Sequence, residues 1–175
     1  TATPDMHFTG KSKLTLKGNC TIGQLRLNNQ DGQTVDASEL TSTTPIPIGC
    51  RKFGEFATST ADTAACFVSI QTSEIKYEDG KLITTAPKTV HVASDGDDNR
   101  LGTEELPYKT LEHALDVIGD DGTVVILDTV TPETFEKHDK HVTLTGGELV
   151  LSGVRTELQD HFTFKNILLT LPSSA

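Results

Sequence analysis

An acidic loop is the clearest candidate for ion chemistry in this sequence. Asp95, Asp97 and Asn99 place carboxylate and amide oxygens at alternate positions, and such hard oxygen ligands are the ones that Ca²⁺ prefers. An EF-hand would need Gly in place of Arg100 and a bidentate Glu in place of Leu106, so that motif fails. Two interpretations remain: a looser Ca²⁺ loop held by the three oxygen-bearing residues, or a solvated turn.

Histidine spacing offers a weaker candidate. His138 and His141 are three residues apart, with Lys137 and Lys140 beside them, in a segment that reads as a loop entering a strand. A metal site needs a third ligand, and the neighbouring sequence supplies none. The pattern therefore does not favour metal binding, and it implies no resident cofactor.

Carboxylates are numerous enough that pairs suited to glycoside chemistry arise by composition alone. Such a pair would need a defined separation between its carboxyl groups, which a sequence cannot give. No nucleophile elbow, phosphate-binding Gly loop or Cys–His arrangement is present. We therefore predict no catalytic residues in this chain, although the pair could be drawn from Glu133, Glu136, Asp139, Glu157 and Asp160.

The elements that must hold these residues are mostly strands. Short segments that alternate apolar and polar residues recur along the chain, as is typical of strands with one buried face. Residues 74–77 and 81–84 flank Glu78-Asp79-Gly80, which predicts a hairpin. Helical periodicity occurs once, over 111–118, with Thr110 as N-cap and Gly119 as a left-handed residue at the end.

Segment 86–88 separates two predicted modules, a β-rich one at 1–85 and a second one at 88–175. In the second module, strands open at Val124, Val142 and Phe162, at intervals of 18 and 20 residues. Periods near 20 favour a parallel β-helix, whose inward side chains form one apolar ladder. Two small β-sandwich-like modules are the alternative. The predicted ladder is lined by Val124, Ile126, Val142, Leu144, Phe162 and Phe164.

Composition restricts the function classes. The chain has 175 residues, 35% of them hydrophobic, and a formal net charge of −10, with no Trp. This acidity opposes nucleic-acid binding, and no segment is apolar enough to span a membrane. Cys20, Cys50 and Cys66 could form one bridge, Cys20–Cys50 or Cys50–Cys66, but buried free thiols are the favoured interpretation.

The second module resembles a known superfamily. Thr89-Val90-His91-Val92, an Asp/Gly-rich loop, Pro107-Tyr108-Lys109-Thr110-Leu111, an amphipathic helix and then Gly122-Thr123-Val124-Val125-Ile126 occur in this order. The order is similar to the start of right-handed parallel β-helix proteins of the pectate-lyase-like superfamily. The resemblance implies an all-β fold in which helix 111–118 caps the first coil. It carries over none of the family's catalytic residues.

The first module resembles segments of large, Thr-rich surface proteins of gut bacteria, through residues 13–19 and 75–82. This implies that 1–85 would be the closing coils of a preceding solenoid. We therefore expect a non-catalytic structural or adhesive segment of a bacterial cell-surface or secreted protein, with a glycan or another surface protein as partner. The alternative is the N-terminal part of a polysaccharide lyase or glycoside hydrolase whose catalytic coils lie beyond residue 175.

Overall fold

The computed structural model describes residues 5–9, 11–28, 33–135, 139–151 and 161–171. The chain divides into two compact units, Thr1–Ala86 and Pro87–Ala175. Each unit has its own cluster of buried apolar side chains. The first unit contains a short 3-10 helix, Ala64–Cys66, and the strands β1 (Met6–Phe8), β2 (Lys13–Gly18), β3 (Leu25–Leu27), β4 (Thr34–Leu40), β5 (Ile46–Cys50), β6 (Gly54–Thr58), β7 (Phe67–Ser69), β8 (Ile75–Glu78) and β9 (Lys81–Thr84).

Strands of the first unit alternate between two sheets. β1, β3, β5 and β7 form one parallel sheet, and β2, β4 and β6 pair in parallel in the other. Two consecutive strands therefore make one coil, and Met6 pairs with Leu25 while Leu25 pairs with Ile48. The side chains that point between the sheets are buried, for example Val35, Ala37 and Leu40 of β4. This unit is a parallel β-solenoid.

An antiparallel hairpin ends the second sheet of this unit. β8 and β9 pair with each other, and β9 pairs antiparallel with β6. The turn between them places Asp79 at φ 47° and Gly80 at φ 79°, the positive values that a two-residue hairpin turn requires. The predicted hairpin is confirmed.

The second unit is built on four parallel strands: β10 (Thr89–Val92), β11 (Gly122–Val130), β12 (Val142–Val150) and β13 (Phe162–Thr170). Val124 pairs with Leu144, and Leu144 with Phe164, so successive coils are 20 residues apart. Four of the predicted ladder residues are buried, and Phe162 and Phe164 pack against them half-buried. The parallel β-helix is therefore confirmed, and the sandwich alternative is wrong because these ladders are parallel.

Glycine allows the long strands to bend. The alternation of apolar and polar residues predicts two separate strands, over 141–144 and 148–151, but β12 joins the two segments into one strand, with its register shifting at Gly146. Gly146 has φ 89°. A Cβ atom on Gly147 would lie 2.0 Å from the carbonyl oxygen of Asp128 on the neighbouring strand. The coil therefore turns where no side chain could be accommodated.

Helix α1 (Leu111–Val117) packs on the start of this β-helix, against β10 and β11. Leu111, Leu115 and Ile118 are buried, as the apolar stripe predicts. The predicted left-handed residue at Gly119 is wrong: Gly119 is not among the positive-φ residues, and Ile118 ends the helix in an extended conformation. Because the chain is already extended at Ile118, no left-handed residue is needed at Gly119, and the Ile118 side chain is fully buried in the core.

The edge of β10 that faces away from β11 is covered by the chain itself. Tyr108 donates its backbone N–H to His91, and Ala93 donates to the carbonyl of Tyr108. His91 in turn donates to Gly102. These bonds satisfy backbone groups that an edge strand leaves open.

Candidate functional site

The predicted Ca²⁺ ligands lie in the loop that follows β10. Asp97 Oδ1 accepts the backbone N–H of Asn99 at 2.9 Å and its side-chain amide at 2.8 Å. The structure therefore brings these two residues together, in an arrangement where the amide nitrogen of Asn99 faces the carboxylate. Asp95 is exposed. Ca²⁺ binding by Asp95, Asp97 and Asn99 stays a prediction.

Asp98, between these candidates, ties the loop to α1. Its Oδ1 accepts the backbone N–H groups of Lys109 at 2.8 Å and Thr110 at 2.9 Å, and its Oδ2 accepts the Thr110 hydroxyl at 2.8 Å. Partial burial raises the pKa of Asp98, but the hydrogen bonds from Thr110 and Lys109 outweigh it and hold that pKa below its usual value. Thr110 Oγ1 then caps the helix by accepting from His113 N. Sequence reasoning missed Asp98 because its partners lie 11 and 12 residues away.

Tyr108 lies beneath this capped helix end. Its side chain is buried, and its ring meets the His113 ring edge-on, with centroids 4.6 Å apart. Burial and the nearby Asp98 carboxylate raise the pKa of Tyr108 to about 12. Tyr108 therefore stays neutral at physiological pH and serves the packing of the first coil.

A polar groove of about 340 Å³ opens beside the same helix end. It combines one lysine, two glutamates and four hydroxyl groups, a set that could hydrogen-bond a polar ligand such as a sugar. No aromatic side chain lines it. The residues around the groove are Ser94, Lys109, Thr110, Glu112, Thr129, Val130, Thr131 and Glu133.

Most polar groups of the groove already have partners within the chain. Ser94 donates its hydroxyl to Asp128, and Thr129 donates to Glu148. Glu112 Oε1 accepts the backbone N–H of Thr134 at 2.9 Å, which joins α1 to the segment after β11. These hydrogen bonds therefore join the coil, the loop and the helix around the groove. Lys109, Thr131 and Glu133 are the groove residues that could contact a ligand.

The other sequence candidates are only partly placed. Glu136, His138, Glu157 and Asp160 lie outside the described residues, whereas Glu133, Asp139 and His141 are exposed. The cysteines are free, with Cys50 buried and Cys20 and Cys66 half-buried. Cys50 thus lies where a buried thiol was expected, whereas Cys20 and Cys66 are more accessible than that interpretation predicts.

Comparisons with models of protein families, with curated proteins and with solved structures found no match. The β-solenoid is thus shown by the strand pairing of this chain, and its superfamily is a proposal. In the part of the chain that the structure describes, no helix has the length and apolar character to cross a membrane.

Proposed function

We propose that this chain is a non-catalytic structural and adhesive segment of a bacterial cell-surface or secreted protein, built on a pectate-lyase-like β-helix. The observation that carries the proposal is the bonding of outward polar groups from one coil to the next. Lys13 pairs with Asp36 at 3.0 Å and Lys17 with Glu39 at 2.8 Å.

The second unit uses the same device. Glu148 accepts from Thr129 of the preceding coil and from Thr170 of the following one. Individually, exposed contacts of this kind contribute little. Repeated along the solenoid, they fix the register of each coil on the next one. A structural segment requires such a fixed register. In the groove, polar groups likewise serve mainly to join elements, which favours a structural role over a reactive one.

Adhesion is assigned to the groove, through Lys109, Thr131 and Glu133. A weakly bound glycan fits this surface because its hydroxyls can pair with the carboxylate, hydroxyl and ammonium groups there. The alternative, that the chain is the first part of a lyase or hydrolase, would place turnover in coils outside this sequence.

The test is to incubate the whole chain with pectin, xylan, mucin glycans and glycosaminoglycans, with and without Ca²⁺. We expect no new reducing ends, no unsaturated lyase product, and weak glycan retention that falls when Lys109 and Glu133 are both replaced by Ala. Lys52→Ala, an exposed lysine of the first unit, is the control. Turnover that disappears in Glu133→Gln would overturn the structural role, and absence of all retention would remove the adhesive one.

A further inference from the structure

Side chains that can bind a metal ion occupy the same position in three successive coils of the second unit. The first residues of β11, β12 and β13 are partners across the sheet. The residues directly before them are Asp121, His141 and His161. Since neighbouring strands are about 4.8 Å apart, these residues lie above one another along the sheet.

Distances within this group are those of a ligand cluster. One ligand atom from each of Asp120, Asp121 and His141 lies within 4.8 Å of the other two. Asp120 Oδ1 is 3.5 Å from His141 Nδ1 and accepts the backbone N–H of His141 at 2.8 Å, which fixes the carboxylate beside the ring. The ring of His161 has its centroid 4.9 Å from that of His141.

Two nearby lysines donate hydrogen bonds from their ammonium groups to backbone carbonyls. Lys140 Nζ donates to Leu115 O at 3.0 Å and Asp116 O at 2.7 Å, and Lys88 Nζ donates to Asp120 O at 2.8 Å. Their positive charges oppose the binding of any divalent cation, so the affinity must come from the coordinate bonds themselves, and imidazole nitrogen is a ligand that favours Zn²⁺ over Ca²⁺ and Mg²⁺. In these bonds the two ammonium groups contact backbone oxygens and not the carboxylates of Asp120 and Asp121.

We propose that Asp120, Asp121 and His141 bind a divalent transition-metal ion of the zinc class, with His161 as the fourth ligand after rotation of its side chain. Two imidazoles and two carboxylates suit the four-coordinate site that Zn²⁺ forms. Ca²⁺ and Mg²⁺ favour oxygen ligands. Bound in this way, the ion cross-links three coils, so its binding also raises the stability of the folded chain.

The test is calorimetric titration of the whole chain with Zn²⁺, Ca²⁺ and Mg²⁺, with NMR of the histidine rings. We expect one Zn²⁺ that shifts the ring signals of His141 and His161, and no heat from Ca²⁺ or Mg²⁺ that depends on these residues. His141→Ala and Asp121→Asn should each weaken this site at least about tenfold. Asn tolerates the positive φ of 56° at position 121, so the latter variant keeps the backbone.

Two controls separate this site from other donors. His7→Ala removes an exposed histidine of the first unit and should leave the affinity unchanged. Cysteine thiols also bind Zn²⁺, and the ring signals distinguish that binding from occupancy of the cluster. Zn²⁺ that leaves the His141 ring unshifted, or an affinity equal in His141→Ala and the parent, overturns the proposal. An unchanged affinity in His161→Ala overturns the fourth ligand.

Discussion

Asp98 links the acidic loop to the N-terminus of α1 through three hydrogen bonds. In the sequence, the side-chain oxygens at 95, 97 and 99 suggest a cation site because their alternating spacing suits Ca²⁺. Asp98 acts instead through residues far along the chain, and no local pattern predicts such a contact. Thr110, by contrast, was predictable as the N-cap because it directly precedes the apolar stripe.

We expect Asp98→Ala to reduce the free energy of unfolding by about 1–3 kcal/mol, because it leaves helix-end N–H groups without their charged acceptor. Chemical denaturation measures this loss. Asp95→Asn, at an exposed position of the same loop, should be close to neutral. Equal effects of the two substitutions would contradict the role of Asp98.

The pH dependence of stability follows from the same carboxylate. The pKa of Asp98 is lowered in the folded state, so its contribution is complete above the ordinary Asp pKa of about 3.9 and is lost as pH falls through the lowered value. Asp98→Asn should show a smaller loss of stability over this acidic range than the parent chain. Denaturation curves at a series of pH values test this prediction. An equal fall in the free energy of unfolding with decreasing pH in both chains would contradict it.

The acidic loop gives a prediction about the effect of Ca²⁺ on stability. If Asp95, Asp97 and Asn99 hold Ca²⁺, millimolar Ca²⁺ should raise the melting temperature, because the ion binds the native state. The double substitution Asp95→Asn and Asp97→Asn should abolish that gain. Calorimetry without heat, together with an unchanged melting temperature, would leave the loop as a solvated turn.

Among the elements, the helix and the hairpin were predictable because each has a local signature. Strands β4, β5 and β6 were not predicted. β5 contains Pro47 and Gly49, residues that weaken a strand pattern, and β4 buries the small side chain of Ala37. Their pairing is set by the coils on either side, so it depends on tertiary context.

Leu115→Asp should lower the free energy of unfolding by about 4 kcal/mol, since it buries a charge in the apolar contact between α1 and the first coil. The apolar residues of the first coil that become exposed should also cause the chains to associate, which light scattering detects. Leu115→Met nearly conserves volume and should cost less than about 1.5 kcal/mol. A monomeric Leu115→Asp chain with an unchanged melting temperature would refute the capping role of α1.

Gly147→Ala tests the bend in β12. Its Cβ would lie 2.0 Å from a backbone oxygen of the neighbouring strand, and we expect a loss of about 1–3 kcal/mol from overpacking. Gly18→Asn is the matched control, because that site has open space at φ 61° and Asn tolerates such values. Thermal melting of both variants is the measurement, and similar losses would argue against steric exclusion.

For the whole molecule, periodicity predicted the solenoid in the second unit but not in the first. From β11 onward, the strands of the second unit begin 20 residues apart, at Gly122, Val142 and Phe162. In the first unit, coil lengths vary, and each coil contributes two short strands to different sheets. A variable repeat gives no single period in the sequence, although the parallel pairing is the same.

Separate buried clusters predict separate unfolding of the two units. Leu25 belongs to the cluster of the first unit and Leu144 to that of the second. Leu25→Ala and Leu144→Ala should each cost about 2–5 kcal/mol, and each should shift a different transition in calorimetric melting. One transition that both substitutions shift equally would show that the units unfold together.

The two edges of the second unit's sheet are unlike each other. Tyr108 covers the β10 edge through backbone bonds, whereas β13, the last strand of this sheet among the described residues, leaves Leu168 61% exposed. Addition of strands to this sheet therefore has a polarity: because Tyr108 already occupies backbone groups of the β10 edge, a further strand can pair only on the β13 side.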